Sequence, residues 1–266
     1  MRFCSIASGS SGNCIYVGSA ATHLLVDAGI SGKRTKEGLE RLGVKAEDVD
    51  GIFITHEHAD HISGLGVMAR KYGTPIYGTR GTLEAIRQSA TVGRIDESLF
   101  REIRADEKVR VKDLTLNPMR ISHDAAEPVA YRVSHGRKRL GIVTDLGCYN
   151  DYTVECLRGM NALLIEANHD VNMLQVGPYP YYLKKRILSD RGHLSNELSG
   201  KLLSRLLHDG MQTVVLGHLS KENNLPELAY EAVRVEIILA DNEYQPGDFP
   251  IRVAHRSEVS EIIEIA

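Results

Sequence analysis

Cysteine is scarce in this chain. Its four copies (Cys4, Cys14, Cys148 and Cys156) show no CxxC spacing. In 266 residues they do not amount to a disulfide framework, and they read as small buried hydrophobes. Long apolar runs are missing too. "HLLVDAG" and "GIFITH" are strand-length, far short of the roughly 20 apolar residues a membrane helix needs. There is no low-complexity tract, no long Pro/Gly/Ser linker and no repeat with a period of about 20–50 residues. Charge of one sign is also lacking: 32 Lys and Arg face 35 Asp and Glu, a net charge of −3. That argues against a protein that coats nucleic acid through bulk charge, though a local basic groove stays compatible with it. No basic-then-apolar leader opens the chain. "MRFCSIASGSSGN" reads instead as a first strand, so a cytoplasmic protein is expected.

What is present is a regular alternation of elements. Residues 2–7 and 14–18 read as a hairpin around "SGSSGN", and 22–27 as a strand ending at Asp27. "SGKRTKEGLERLG" is helical, closed by Gly43. "GIFIT" is a buried strand, and the spacing after it predicts one helix from His61 to Gly73. "TPIYG" and "TRGTLEAIRQS" add a strand and a helix. Residues 108–145 are β-rich, with period-two alternation. Then follow the strand "NALLIEAN", the helix "SNELSGKLLSRLLHDG", the strand "TVVLG" and the helix "LPELAYEAVRVEIILA". The tail from "IRVAHR" reads as edge strands. In the helix from Ser195, Leu198, Leu202, Leu203, Leu206 and Leu207 fall on one apolar stripe. Recurring β-then-α halves suggest an α/β fold with two sheets face to face and helices outside, one domain over residues 1–266.

The strongest chemical signal is "THEHADHISG". His56, His58, Asp60 and His61 fall within six residues, just after a buried strand. A strand end followed by a tight loop projects successive side chains from a rigid base. His56 and His58 can share one cation, while Asp60 and His61 turn toward a second. Imidazole and carboxylate suit zinc, manganese or iron.

With its HxHxDH motif and the earlier acid in "LLVDAG", the chain resembles the metallo-β-lactamase superfamily over nearly its whole length. The resemblance implies a four-layer αββα sandwich of two mixed β-sheets. It also implies two divalent metal ions per chain. "RISHDA" (His123), "IVTDLG" (Asp145) and "VLGHLS" (His218) then match the later ligands. On that pattern His56, His58 and His123 hold one metal. Asp60, His61 and His218 hold the other, with Asp145 between them and Asp27 bracing the loop. Such a pair of metals supplies hydroxide near neutral pH, and the superfamily uses it on thioesters, lactones, β-lactams and phosphodiesters.

The tetrapeptide GHLS occurs twice, at 192–195 and 217–220. His218, in the second copy, falls in the ligand series. His193, in the first, comes just before a helix, and "LLIEANHD" puts Glu166 at a strand end. Endonucleases of tRNA maturation related to ribonuclease Z carry a Glu and a His at such positions, where the pair donates a proton to the leaving oxygen. The resemblance thus marks Asp60, His193 and Glu166 as the residues that carry the chemistry. The segment from "EANHDVNML" to "GHLSKENNLPELA", with the opening "SIASGSSGN", resembles the YycJ (WalJ) group. That group is a set of bacterial metal-dependent exonucleases that degrade DNA from a 5′ end, with a proposed repair role. DNA, single- or double-stranded, is then the expected partner, with no membrane. The oligomeric state stays open, a homodimer included. No large cap domain follows residue 145 and no long basic arm is visible, which suits a small stand-alone nuclease.

Weaker features keep two readings each. Tyr179, Tyr181, Tyr182, Lys184, Lys185, Arg186 and Arg191 read as nucleic-acid contacts or as a solvated helix face. "SGSSGN" is a hairpin turn or a phosphate cradle, and not a P-loop. "KENN" after His218 either lines the site or turns into the next helix, and His169 is ambiguous. At the level of function, the alternatives are a hydrolase of a small phosphodiester, lactone or thioester, and a non-catalytic binding module.

Overall fold

The structure, a computed structural model, describes residues 1–266. The first half runs β1 (Arg2–Ala7), β2 (Cys14–Gly18), β3 (His23–Val26), α1 (Gly32–Arg41), β4 (Gly51–Phe53), α2 (Ala59–Ile62), α3 (Leu65–Tyr72), β5 (Ile76–Thr79), α4 (Arg80–Gln88) and β6 (Phe100–Ile103). The second runs β7 (Val109–Val111), β8 (Leu114–Arg120), β9 (Val129–His135), β10 (Lys138–Val143), α5 (Asp151–Leu157), β11 (Ala162–Glu166), α6 (Val171–Val176), α7 (Tyr181–Ile187), α8 (Asn196–Ser204), β12 (Thr213–Gly217), α9 (Pro226–Leu239), β13 (Ile251–Val253) and β14 (Ile263–Glu264). Two seven-stranded sheets result, in the orders β14-β1-β2-β3-β4-β5-β6 and β13-β12-β11-β10-β9-β8-β7. The expected edge strands are there: β13 closes one sheet and β14 crosses to close the other.

Period-two alternation sorts side chains into layers. Leu24 and Val26 of β3 face the second sheet, where they pack with Leu116, Tyr131, Ile142 and Leu164. Leu25 faces the other way, toward Leu39, Leu65, Met68 and Leu83 of α1, α3 and α4. On the far side, Leu163 and Ile165 of β11 pack with Leu157, Leu202, Leu203, Val233 and Ile237 of α5, α8 and α9. Three cores between four layers make the αββα sandwich. Each fully buried Leu, Ile or Val contributes about 1.5–3 kcal/mol. No helix of the chain is long and apolar enough to cross a membrane.

Two expectations are corrected. The helix over 61–73 is split into α2 and α3 around Gly64, where a Cβ would lie 1.9 Å from the Ile30 carbonyl oxygen. The backbone breaks there to let segment 28–30 approach. The helix from Ser195 ends at Ser204, not near Gly210. Ser195 caps it by accepting from the Leu198 N–H at 3.2 Å, but Leu198 is 40% exposed and faces away from the core.

Strand direction decides where chemistry can gather. β3 and β4 run parallel. β8 is antiparallel to β9, and β9 to β10, so β8 and β10 share a direction, with β11 and β12 parallel to them. The carboxyl ends of these six strands meet along one edge of the sandwich.

Candidate metal centre and the adjoining Glu–His pair

Every side chain of the predicted constellation except His193, which comes just before α8, sits at one of those strand ends. Asp27 follows β3, the loop 55–61 follows β4, and His123 follows β8. Asp145 follows β10, Glu166 ends β11 and His218 follows β12. Asp27, Asp145 and His218 take left-handed backbone angles, φ 63°, 58° and 55°. One left-handed residue at the end of a ladder swings its side chain off the sheet face and over the edge. Asp and His tolerate that conformation better than branched residues, at a cost of order 1 kcal/mol each.

Four overlapping groups have ligand atoms within 4.8 Å of one another: His56, His58 and His123; Asp60, His61 and His218; His56, His61 and Asp145; and Asp145, Glu166, His193 and His218. The two expected triads are therefore brought together, and Asp145 lies between them. Its carboxylate oxygens stand 3.1 Å from His61 Nε2 and 3.4 Å from His218 Nε2. His58 Nδ1 and His123 Nε2 are 3.3 Å apart.

The outer nitrogens are held. His61 Nδ1 donates to Asp27 at 2.8 Å, and Asp27 also accepts from the Thr55 N–H at 2.8 Å. His56 Nδ1 is 3.0 Å from Thr55 Oγ1, and His123 Nδ1 donates to the Gly192 carbonyl at 3.0 Å. This is the arrangement that fixes a metal-ligating ring. Two inner atoms, His56 Nε2 and Asp145 Oδ2, are buried without a well-formed hydrogen bond, although Oδ2 lies 3.1 Å from His61 Nε2. Buried polar atoms are almost always paired, so these two fit cation ligation. His218 departs from the pattern, since its buried Nδ1 has no outer partner.

Charge is balanced within the cluster. Burial opposes ionisation of Asp145, but His218, His61 and His56 outweigh it and hold the carboxyl well below the usual range. Burial and the neighbouring His61 keep His56 neutral, far below the ordinary imidazole value. Burial also disfavours the charged form of His61, yet Asp145, Asp60 and Asp27 raise its pKa well above normal.

Glu166 and His193, members of the last of these groups, are paired with each other. His193 Nδ1 lies 2.8 Å from Glu166 Oε1. Glu166 Oε2 accepts from the backbone N–H groups of Leu146 at 2.7 Å and Leu194 at 3.3 Å. The carboxylate is thus spent on the imidazole and two amides, which sets it apart from a ligand. Burial works against a charged His193, but Glu166 and then Asp145 overcome it and raise the pKa to about 9.

Residues 22–219 match the family described as beta-lactamase superfamily domain. The chain is 41% identical over 240 residues to exodeoxyribonuclease WalJ of Streptococcus pneumoniae (serotype 2, strain D39), covering 90% of this chain and 89% of that protein. It is 40% identical over 233 residues to exodeoxyribonuclease YycJ of Bacillus anthracis, covering 88% of each. The chain belongs to the metallo-β-lactamase superfamily, in the WalJ/YycJ group. The fold agrees: the metallo-β-lactamase fold protein YhfI of Bacillus subtilis superposes with a TM-score of 0.72 over 97% of this chain and 98% of that one, at 17% identity.

Several residues of this superfamily site escape a reading of the sequence. Asn13, in the "SGSSGN" turn, is buried, with Nδ2 3.1 Å from His61 Nε2 and 3.5 Å from Asp60 Oδ2. Ser8, from the same turn, accepts the His218 N–H at 2.8 Å. Gly29 makes room for the HxHxDH loop, because a Cβ there would lie 1.6 Å from the Asp60 carbonyl oxygen. Asp124 lies 3.5 Å from His123 Nε2 and 3.8 Å from His58 Nε2. Its place next to His123 in "RISHDA" was the available signal.

The basic segment is mostly tied up within the chain. Arg186 grips Asp124 with both guanidinium arms, Arg191 donates to the His123 carbonyl, and Lys184 to the Gln175 carbonyl. Lys185 makes no such bond, and Tyr181 and Tyr182 are 81% and 74% exposed. "KENN" braces rather than lines the site. Asn224 donates to the carbonyls of Ala167 and Asn168 and to Asn196 Oδ1, tying the end of β11 to α8.

Proposed function

We propose that this chain is a metal-dependent phosphodiesterase that removes nucleotides from the 5′ end of DNA. The observation that carries the reading is the pairing of partly exposed His193 with buried Glu166, 2.8 Å apart, beside two groups of metal-type side chains. The names of the WalJ and YycJ relatives support it. Phosphodiester cleavage expels an alkoxide, for which a proton donor has a use; thioester cleavage does not need one.

In this reading His56, His58 and His123 would hold one divalent cation, and Asp60, His61 and His218 a second, with Asp145 available to both; Asp27 fixes His61. The mixed donor set suits zinc or manganese. Bound cations supply Lewis acidity, lowering the pKa of water and neutralising charge on the phosphate. The chain's own groups do the rest. Asp60 orients the attacking water. His193, with Nδ1 bound to Glu166, carries its second proton on Nε2 and gives it to the departing 3′ oxygen. The P–O3′ bond breaks, the water's oxygen stays on phosphorus, and the shortened strand keeps a 5′ phosphate. Glu166 stabilises the imidazolium before transfer and sets the ring's orientation. The enzyme acts as one unit over residues 1–266 in the cytoplasm. Its unpaired cysteines suit a reducing compartment.

Two alanine variants test the division of labour. His193→Ala is expected to retain both cations and lose cleavage by roughly 10²–10⁴-fold. His218→Ala is expected to lose one cation per chain. Metal loss from the first variant, or full cleavage by it, contradicts the reading.

A further inference from the structure

A cavity of about 460 Å³ opens beside His193. Its wall includes Gly147, Tyr149, His169, Leu188, His193 and Leu198, and none of the seven residues proposed to hold the cations. The size is that of a small-molecule site (about 300–1,000 Å³). So the cavity begins where the cluster ends, with the proton donor in the wall between them.

Three features of this wall stand outside the three hydrophobic cores. Leu188 and Leu198 are apolar yet 46% and 40% exposed. Leu198 leaves the apolar stripe of its helix to stand here. His169 is only 1% exposed. Its Nδ1 lies 3.3 Å from Asn168 Oδ1, and Asn168 Nδ2 donates to the His218 carbonyl at 2.9 Å. That second bond fixes which end of the amide faces the ring, so Nδ1 carries the hydrogen and donates. Burial and the nearby His193 hold the imidazole neutral, with its pKa down at about 4. Nε2 is therefore a bare acceptor, and it is buried without a partner in the chain.

We propose that this cavity is the subsite for the leaving nucleoside, the base of the 5′-terminal nucleotide lying against Tyr149, Leu188 and Leu198 and donating an N–H to His169 Nε2. The inference rests on the nuclease reading, which makes His193 the neighbour of the departing 3′ oxygen. Every base carries at least one N–H on its edge and an apolar face. A single acceptor between apolar walls thus takes all four without selecting among them. Such a pocket suits an enzyme that removes nucleotides one at a time irrespective of sequence.

The test is calorimetric titration of the metal-loaded protein with deoxyadenosine 5′-monophosphate, the product type this reading predicts. Leu198→Trp fills the cavity from an exposed position; its metal content and melting curve check the fold. It should weaken binding about tenfold or more, the range of one lost base-stacking contact. His169→Leu should weaken binding likewise, and His169→Gln, which keeps an acceptor, should recover most of it. A 5′-terminal abasic residue should raise KM about tenfold for the wild type and add little in Leu198→Trp. If the wild type digests DNA but Leu198→Trp binds the nucleotide as tightly as before, the cavity assignment falls. If the wild type leaves DNA intact, the nuclease reading falls with it.

Discussion

Replacing Glu166 by glutamine separates the charge of this side chain from its shape. The amide keeps an oxygen for the Leu146 and Leu194 N–H groups that Oε2 now accepts, so the fold is expected to hold. What disappears is the anion 2.8 Å from His193 Nδ1. With it in place the imidazole pKa stands at about 9, although burial alone would push it down. Without it the value falls to the ordinary one of about 6.5 or below. The protonated ring is the donor, so activity is present below the folded pKa and lost as pH rises through it. At about pH 8 the wild-type ring is roughly nine-tenths protonated and the variant's about one-thirtieth, so kcat should drop about thirtyfold. At about pH 5.5 both rings are charged, about nine-tenths or more of each, and the gap should nearly close. Bound cations lower both values together and move the window to lower pH without closing it. The assay is kcat on a 5′-phosphorylated oligonucleotide across this range at saturating metal. A variant depressed equally at every pH, or equal to wild type near pH 8, refutes the proton-donor role.

Three further outcomes are expected. Asp27→Ala removes the acceptor of His61 Nδ1 and of the Thr55 N–H. Metal affinity, read by chelator competition, should fall about 10–100-fold, and an unchanged affinity would count against Asp27 as a brace. Gly29→Ala drives a Cβ to 1.6 Å from the Asp60 carbonyl oxygen. It should cost about 1–3 kcal/mol in denaturant melts and reduce bound metal, whereas Gly247→Ala, in open space, should change stability by less than about 0.5 kcal/mol. Finally, zinc added to the metal-free protein near neutral pH should raise Tm and release protons into a weakly buffered solution. His61, raised well above the ordinary imidazole pKa by Asp145, Asp60 and Asp27 against the effect of burial, must shed its proton to ligate. Zinc uptake without proton release would show that His61 is not a ligand.

The metal-type residues were legible because each follows an apolar run of strand length. His56, His58, Asp60 and His61 announce themselves by density. His123, Asp145 and His218 are single residues, and only the order shared with the superfamily picks them out. Nothing in the local sequence signals that Asp27, Asp145 and His218 turn left-handed to reach the edge. Long-range partners were hidden for the same reason. Asn13 meets His61 across 48 positions, and Arg186 meets Asp124 across 62. The second contact gives Arg186, one of the residues read as either a nucleic-acid contact or part of a solvated face, a partner within the chain. Leu198 shows the limit of periodicity. It falls on the apolar stripe, but α8 is only nine residues long and buries Leu202 and Leu203 instead. The side chain left over faces the cavity beside His193.

The most direct test of the account is a product time course on duplex and single-stranded DNA carrying a 5′ phosphate, labelled at one end or the other, with manganese or zinc titrated in. A 5′ label should appear at once as mononucleotide. A 3′ label should pass through a descending ladder, and chelator should stop both. DNA left intact at every metal concentration, or internal cuts with the 5′ label retained on long fragments, would contradict it.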